Sequence, residues 1–230
     1  MSGAGKKRRV GEIDVFGMTD VGRVRDENQD HFLLCSLLKT MRIHGTSLPL
    51  EAVTQQTDDR LGYFAVVADG LGGHAHGEIA SRLAIETVAK YATQCMDCFY
   101  TRRSLVEEQF LRQLHETALK SHEAVMLAAA EKGEADTRAT TLTMLLAAWP
   151  MLYVVQVGDS RLYLLQRNKL HRLTRDQTLA QELIDRGTMT AEQAESSHLA
   201  NMLSSAIGGQ APRPVTMAFP IHRSDVLLLC

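Results

Sequence analysis

Strand-like and helix-like segments run in separate blocks along this chain, and that order is the strongest constraint on its fold. Three segments rich in β-branched, aromatic and leucine residues open it, at 13–18, 31–38 and 61–68. They are expected to pair within one sheet. Between the second and third lies a polar stretch, 39–60, with Gly45, Pro49 and Asp58-Asp59, which reads as a surface excursion. Helical periodicity follows. Ile79, Leu83, Ala84, Val88 and Tyr91 form one stripe over 78–93, and Phe110, Leu114, Ala118, Val125 and Ala129 form another over 104–131, with Gly133 placed to stop it. Strand patterns return at 140–149, 152–157, 161–166 and 170–173, with turns at Pro150-Met151 and Asn168-Lys169 that make antiparallel neighbours. Short helices are expected at 179–186, ended by Gly187, and at 190–195 with Thr190 as N-cap, and a last strand at 225–230. Such segregated blocks specify α+β layering, antiparallel sheets covered by helices, and not an alternating parallel fold.

Composition narrows the functional classes. With 45% hydrophobic and 23% charged residues in 230, one domain with a substantial core is expected, spanning 11–230. Lys and Arg number 25 against 27 Asp and Glu, so a net charge of -2 offers no general attraction to nucleic acid or an anionic membrane. The basic run Lys6-Lys7-Arg8-Arg9 lies in a tail, 1–10, that reads as solvated and disordered. No apolar stretch follows it, which points to a cytoplasmic protein without a secretory signal. The longest apolar run, 142–155, is too short for a bilayer and is broken by Thr143 and Pro150. Cys35, Cys95, Cys98 and Cys230 do not make a secreted disulfide framework. Cys95 and Cys98 form a Cys-x-x-Cys pair, but no second pair has zinc-ligand spacing, and this one closes a helix where a redox pair would open one.

Chemistry concentrates in three acidic clusters at strand ends. They are Arg25-Asp26-Glu27-Asn28-Gln29-Asp30, Asp69-Gly70-Leu71-Gly72-Gly73-His74, and Gly158-Asp159-Ser160-Arg161, the last expected between two strands of the later hairpin. Each alone could be a turn or a solvated rim. The second is the most informative, because three glycines between a strand and a helix imply a backbone that approaches something closely. It is no Walker loop, since Gly77 and Glu78 stand where Lys and Ser or Thr are required, and its glycine spacing is wrong for a dinucleotide fingerprint. A hard divalent cation fits better. Mg2+ and Mn2+ take carboxylate, carbonyl and water oxygens, and clustered carboxylates would partly protonate without a cation.

Taken in order, these motifs resemble the bacterial metal-dependent protein phosphatases of the PPM, or type 2C, family. The resemblance rests on Thr19 through Asp30, on Asp69 to His74 with Gly77-Glu78-Ile79-Ala80-Ser81, on Gly158-Asp159-Ser160-Arg161, and on Leu173-Thr174-Arg175-Asp176-Gln177 with Asn201 through Gly208. It implies two antiparallel β-sheets in a sandwich flanked by helices, with two Mn2+ or Mg2+ ions at one end and a weaker third. In it Asp69 would bridge both metals, the Gly70 carbonyl would bind one, Asp30 would hold metal-bound waters, and Asp159 would help hold the third. Arg25 would grip the substrate phosphate, and 176–205 would be a mobile flap that selects substrates. The implied partners are phosphoserine and phosphothreonine proteins and a cognate Ser/Thr kinase.

The chain also departs from the family pattern. Gln29 replaces a common Glu, offering a neutral and weaker ligand, and Leu71 stands where animal and plant members place a His after Asp-Gly. His74 is near but reads as structural. At its end, Leu227-Leu228-Leu229-Cys230, relatives continue into Ser-Asp-Gly and Asp-Asn motifs whose aspartates bind metal, so the final segment is expected to be missing. Two readings follow: a phosphatase, or a phosphatase-like module that recognises phosphoproteins or a regulator without turnover.

Overall fold

A computed structural model describes residues 13–37, 41–47, 62–72, 75–101, 107–131, 138–209 and 212–230. The basic tail, His74 and most of the 39–60 excursion lie outside them. In chain order the elements are β1 (Asp30–Leu37), β2 (Met41–Thr46), β3 (Gly62–Leu71), α1 (Ala75–Thr101), α2 (Glu107–Glu131), β4 (Ala139–Thr140), β5 (Leu142–Ala148) and β6 (Met151–Val157). Then come β7 (Leu162–Gln166), β8 (Lys169–Arg172), α3 (Leu179–Asp185), α4 (Ala191–Glu195), a 3-10 turn (His198–Asn201), β9 (Val215–Pro220) and β10 (Val226–Leu229). The large sheet runs β2-β1-β3-β5-β6-β9, with β4 also on β3, and the small sheet runs β10-β7-β8; every pairing is antiparallel.

Strand periodicity sorts the two faces of the large sheet. Leu33, Cys35, Phe64, Val66, Met144 and Leu146 point to α1 and α2, where Ala80, Ala84, Val88, Phe110, Ala118 and Val125 meet them in one buried cluster. Small residues on α1 let the two helices close up, and Phe110 sets its ring edge-on to Tyr153 at 4.9 Å between centroids. The residues of opposite parity, Leu145, Leu152 and Val154, join Leu162 in a second core between the sheets, with Leu227 and Leu229 packed against it. β5 and β6 are therefore apolar on both faces, which explains their unbroken hydrophobic runs. The outer face of the small sheet is different: Leu165, Leu170, Val226 and Leu228 are all exposed there.

Several expectations need correction. Residues 13–18 form no strand: Phe16 is 82% exposed, and although Gly17 lies against the Phe32 ring of β1 the segment pairs with no described strand. Part of the polar excursion, β2, is instead an edge strand on β1. β9 was not anticipated at all. β6 and β7 are not neighbours either, because the Gly158-Asp159-Ser160 turn carries the chain from one sheet to the other. Cys95 and Cys98 fall within α1, which continues to Thr101. The N-cap at Thr190 is found, completed by Gln193 in a capping box.

Leu146 sits in β5 between Phe64 and Tyr153 and is 2% exposed. Leu146→Ala is expected to cost about 2–5 kcal/mol in urea unfolding, against about 1 kcal/mol for Thr190→Ala at the exposed cap. Equal losses would contradict the helix-facing core described here.

Candidate active site

Antiparallel register builds the site. β1 and β3 pair so that Asp30 stands opposite Asp69. Because Leu33 and Ala68 face the helices, alternation turns Asp30 and Asp69 to the other face, at one end of the sandwich. Their carboxyls are near enough for each charge to act directly on the other. Burial, then Asp30, then Asp159 push the Asp69 carboxyl up to about 6, while the Arg25 guanidinium pulls it down. Arg25, Asp30, Asp69 and Asp159, distant in sequence, thus act on one carboxyl. Asp69 keeps an exposed face, so the site opens to solvent.

The backbone beneath is held tightly. The Thr141 hydroxyl accepts from the Asp69 amide at 2.9 Å, while the Asp69 carbonyl accepts from the Thr141 amide at 2.9 Å and from the Thr140 hydroxyl at 2.8 Å. Thr141 and Ser160 join their hydroxyls at 2.7 Å, and Thr143 donates to the Ser160 carbonyl at 3.1 Å. A buried polar layer of Thr141, Thr143, Gln156 and Ser160 therefore lies under the carboxylates. Sequence reading passed over it. The signal was present in Thr141 and Thr143, polar residues of one parity beside the apolar run of β5.

Gly70 is required by close approach: a Cβ there would lie 2.4 Å from the Gly77 carbonyl oxygen and 2.7 Å from that of Gln29. Here the end of β3, the first turn of α1 and the loop before β1 meet as bare backbone. Ser81 adds a bond to the Gln29 carbonyl at 2.6 Å. In the loop ahead, Asn28 donates to Thr19 at 2.8 Å and accepts from the Asp30 amide at 3.0 Å, and Gly22 at φ 74° closes a turn on Asp20. Arg25 rides on that closed loop.

Asp159, half-buried in the crossover, is also raised, by burial and by Asp176. Asp176 itself is occupied by Arg161, at 2.7 and 3.1 Å, and by Arg172. Among the described residues, no three Asp, Glu, His or Cys side chains converge as a closed metal cage. The donor set still suits a hard cation: two adjoining carboxyls, with Asp69 raised partly by its neighbour's charge, stand at a rim open to water ligands, and a cation between them would relieve that repulsion. The segment from 178 to 203 forms a helical excursion of α3, α4 and the 3-10 turn, closed at its base by a bridge between Thr178 and Leu203.

Comparison with known proteins gives this geometry a family. The sequence model of protein phosphatase 2C matches residues 50–206. The serine/threonine phosphatase stp of Listeria monocytogenes is 30% identical over 213 residues, 92% of this chain and 74% of that protein. The crystal structure of the Mycobacterium tuberculosis serine/threonine phosphatase PstP superposes with a TM-score of 0.68 at 27% identity, covering 92% of this chain and 75% of that one. The catalytic domain of PstP in complex with two manganese ions gives 0.64 at 26%, covering 92% and 74%. This chain belongs to the protein phosphatase 2C family, whose members matched here are protein serine/threonine phosphatases.

A raised carboxyl pKa destabilises the folded state once the group must ionise. For Asp69 the contribution is fully favourable below the ordinary value of 3.8 and is lost as pH rises through about 6. Metal-free protein is expected to lose melting temperature on this account between about pH 4 and 6, the interval between the two values, and Asp69→Asn to remove the loss. The difference between parent and variant isolates Asp69 from His122, whose burial acts in the opposite sense. Parallel pH profiles for the two proteins would contradict the assignment.

Proposed function

We propose that this chain removes phosphate from phosphoserine and phosphothreonine in cytoplasmic proteins, opposing a cognate Ser/Thr kinase, with Mn2+ or Mg2+ held at the acidic end of the sandwich. The observation that carries the proposal is the Asp30–Asp69 carboxyl pair, two anions set side by side at a solvent-open rim. The two manganese ions of the PstP catalytic domain support the metal requirement. Asp69 and the Gly70 carbonyl would ligate two ions, Asp30 would orient waters, and Asp159 would help hold a weaker third. Bound cations supply Lewis acidity and a water that ionises near neutral pH.

The chain's own groups do the rest. Asp69, with its carboxyl already disposed to exchange a proton for a cation, is fixed through its backbone by Thr140 and Thr141. Arg25 offers a planar fork that matches two phosphate oxygens, which a lysine cannot imitate. The helical excursion at 178–203 borders the Asp159 turn through Gln177 and would contact the protein around the phosphorylated residue. The Ser/Thr phosphatase relatives favour turnover over a binding module without activity.

A phosphopeptide assay tests this directly. Phosphate release is expected with added Mn2+ or Mg2+ and not in excess chelator. Arg25→Ala should raise KM by about tenfold to a hundredfold through loss of a charge-assisted bond. Asp69→Asn should lower kcat by on the order of a hundredfold or more. Undiminished turnover in chelator, or near-normal kinetics for Asp69→Asn, would overturn the proposal.

A further inference from the structure

Gln177 lies outside the carboxylate rim, yet its polar groups reach both sides of the site's least anchored part. Its side-chain oxygen accepts from the Gly158 amide at 2.8 Å, and its own amide donates to the Gly158 carbonyl at 3.1 Å. Those two bonds clamp one residue. Gly158 has φ 100°, and a Cβ there would come within 2.7 Å of Thr141, so the clamp presses the turn against the strand that holds Asp69. The other half of Gln177 faces the helical excursion: Nε2 donates to the Arg213 carbonyl at 2.9 Å, and its carbonyl accepts from the Ser204 amide at 2.8 Å. Arg213 in turn donates to the Ser204 carbonyl at 2.7 Å and to Glu182 on α3 at 2.6 Å. Both stalks of the excursion and the segment leading to β9 therefore converge on one residue, its side chain bonding the Gly158 amide and the Arg213 carbonyl and its main chain the Gly158 carbonyl and the Ser204 amide.

We propose that Gln177 is a positioning residue that locks the turn carrying Asp159 to the base of the helical excursion, so that seating the excursion and placing the Asp159 carboxylate are one event. The consequence for metal rests on the assignment of Asp159 to a weak third ion; the clamp itself does not. Through it, a protein substrate that shifts the 178–203 segment would alter cation affinity at Asp159 without touching the carboxylate.

Two substitutions separate the arms. Gln177→Ala removes both side-chain bonds, whereas Gln177→Glu keeps an acceptor for the Gly158 amide and sets an oxygen against the Arg213 carbonyl. Amide hydrogen exchange on the metal-free full chain is the first readout. Gln177→Ala is expected to speed exchange at Gly158 by about threefold to tenfold, the loss of one hydrogen bond's worth of protection, while the Ser204 amide keeps its bond to the main-chain carbonyl of residue 177 and serves as the internal reference. Gln177→Glu, which loses only the bond to the Arg213 carbonyl, should leave Gly158 protected. Calorimetric Mn2+ titration is the second. The weakest binding step should weaken about threefold to tenfold in Gln177→Ala, and adding Asp159→Asn to Gln177→Ala should have no further effect on it. Unchanged exchange at Gly158 in Gln177→Ala overturns the clamp. Fully additive effects of the two substitutions overturn the coupling to Asp159. If exchange rises as expected but Asp159→Asn alone leaves Mn2+ binding intact, the clamp is upheld and the metal role of Asp159 is what falls.

Discussion

The whole site depends on the register between β1 and β3. A slip of β1 by one residue would turn Asp30 toward the helices, away from Asp69, and move His31 to the rim, because side chains alternate along each strand. The apolar residues of β1 and β3 hold that register from below, and Thr140 of β4 and Thr141 just after it hold it from the side. Hydrophobic packing on one face of the sheet thus forces two like charges together on the other. The repulsion is tolerated because it is small beside the core, and it leaves Asp69 disposed to trade a proton for a cation.

The two helices, the capped turn at Thr190, the antiparallel pairing and the four acidic and basic site residues were legible in the sequence, because each has a local pattern or a motif. β2 and β9 were not. β9 lies between Pro214 and its own terminal Pro220, punctuation that reads as loop, and its residues are mostly half-buried at a sheet edge. β2 contains Gly45 and polar residues, and as an edge strand it needs only β1 for a partner. Conversely, 13–18 has the composition of a strand but makes no ladder with any described strand, which shows that β propensity reports suitability for a sheet and not the presence of one. The crossover at Asp159 was misread as a hairpin for a similar reason. A tight turn looks the same in sequence whether the next strand joins the same sheet or the one above it.

The family departures also have a physical reading. Gln29 contributes its backbone carbonyl to Ser81, so its place near the rim is set by main-chain bonding and does not require a charged side chain. Asp176, an acid close to the site, is paired with Arg161 and Arg172 and raises the pKa of Asp159 from a distance. The acidic residues around this rim are therefore unequal: one pair is held rigidly on the large sheet, one carboxylate rides a crossover, and one is committed to arginines.

That inequality has a consequence for how the molecule comes apart. The large sheet is sheltered on both faces, by helices and by the small sheet, but among the described residues the small sheet is covered on one face only, with Leu165, Leu170, Val226 and Leu228 exposed on the other. Protection from opening follows buried apolar area, so β7, β8 and β10 form the unit that should detach first in local unfolding, well before the strands bearing Asp30 and Asp69. Asp159 sits at the seam between the two units. A fluctuation that lifts the small sheet would thus release one carboxylate and leave the central pair assembled, giving a partly opened molecule whose acidic groups differ in lifetime by structural position alone.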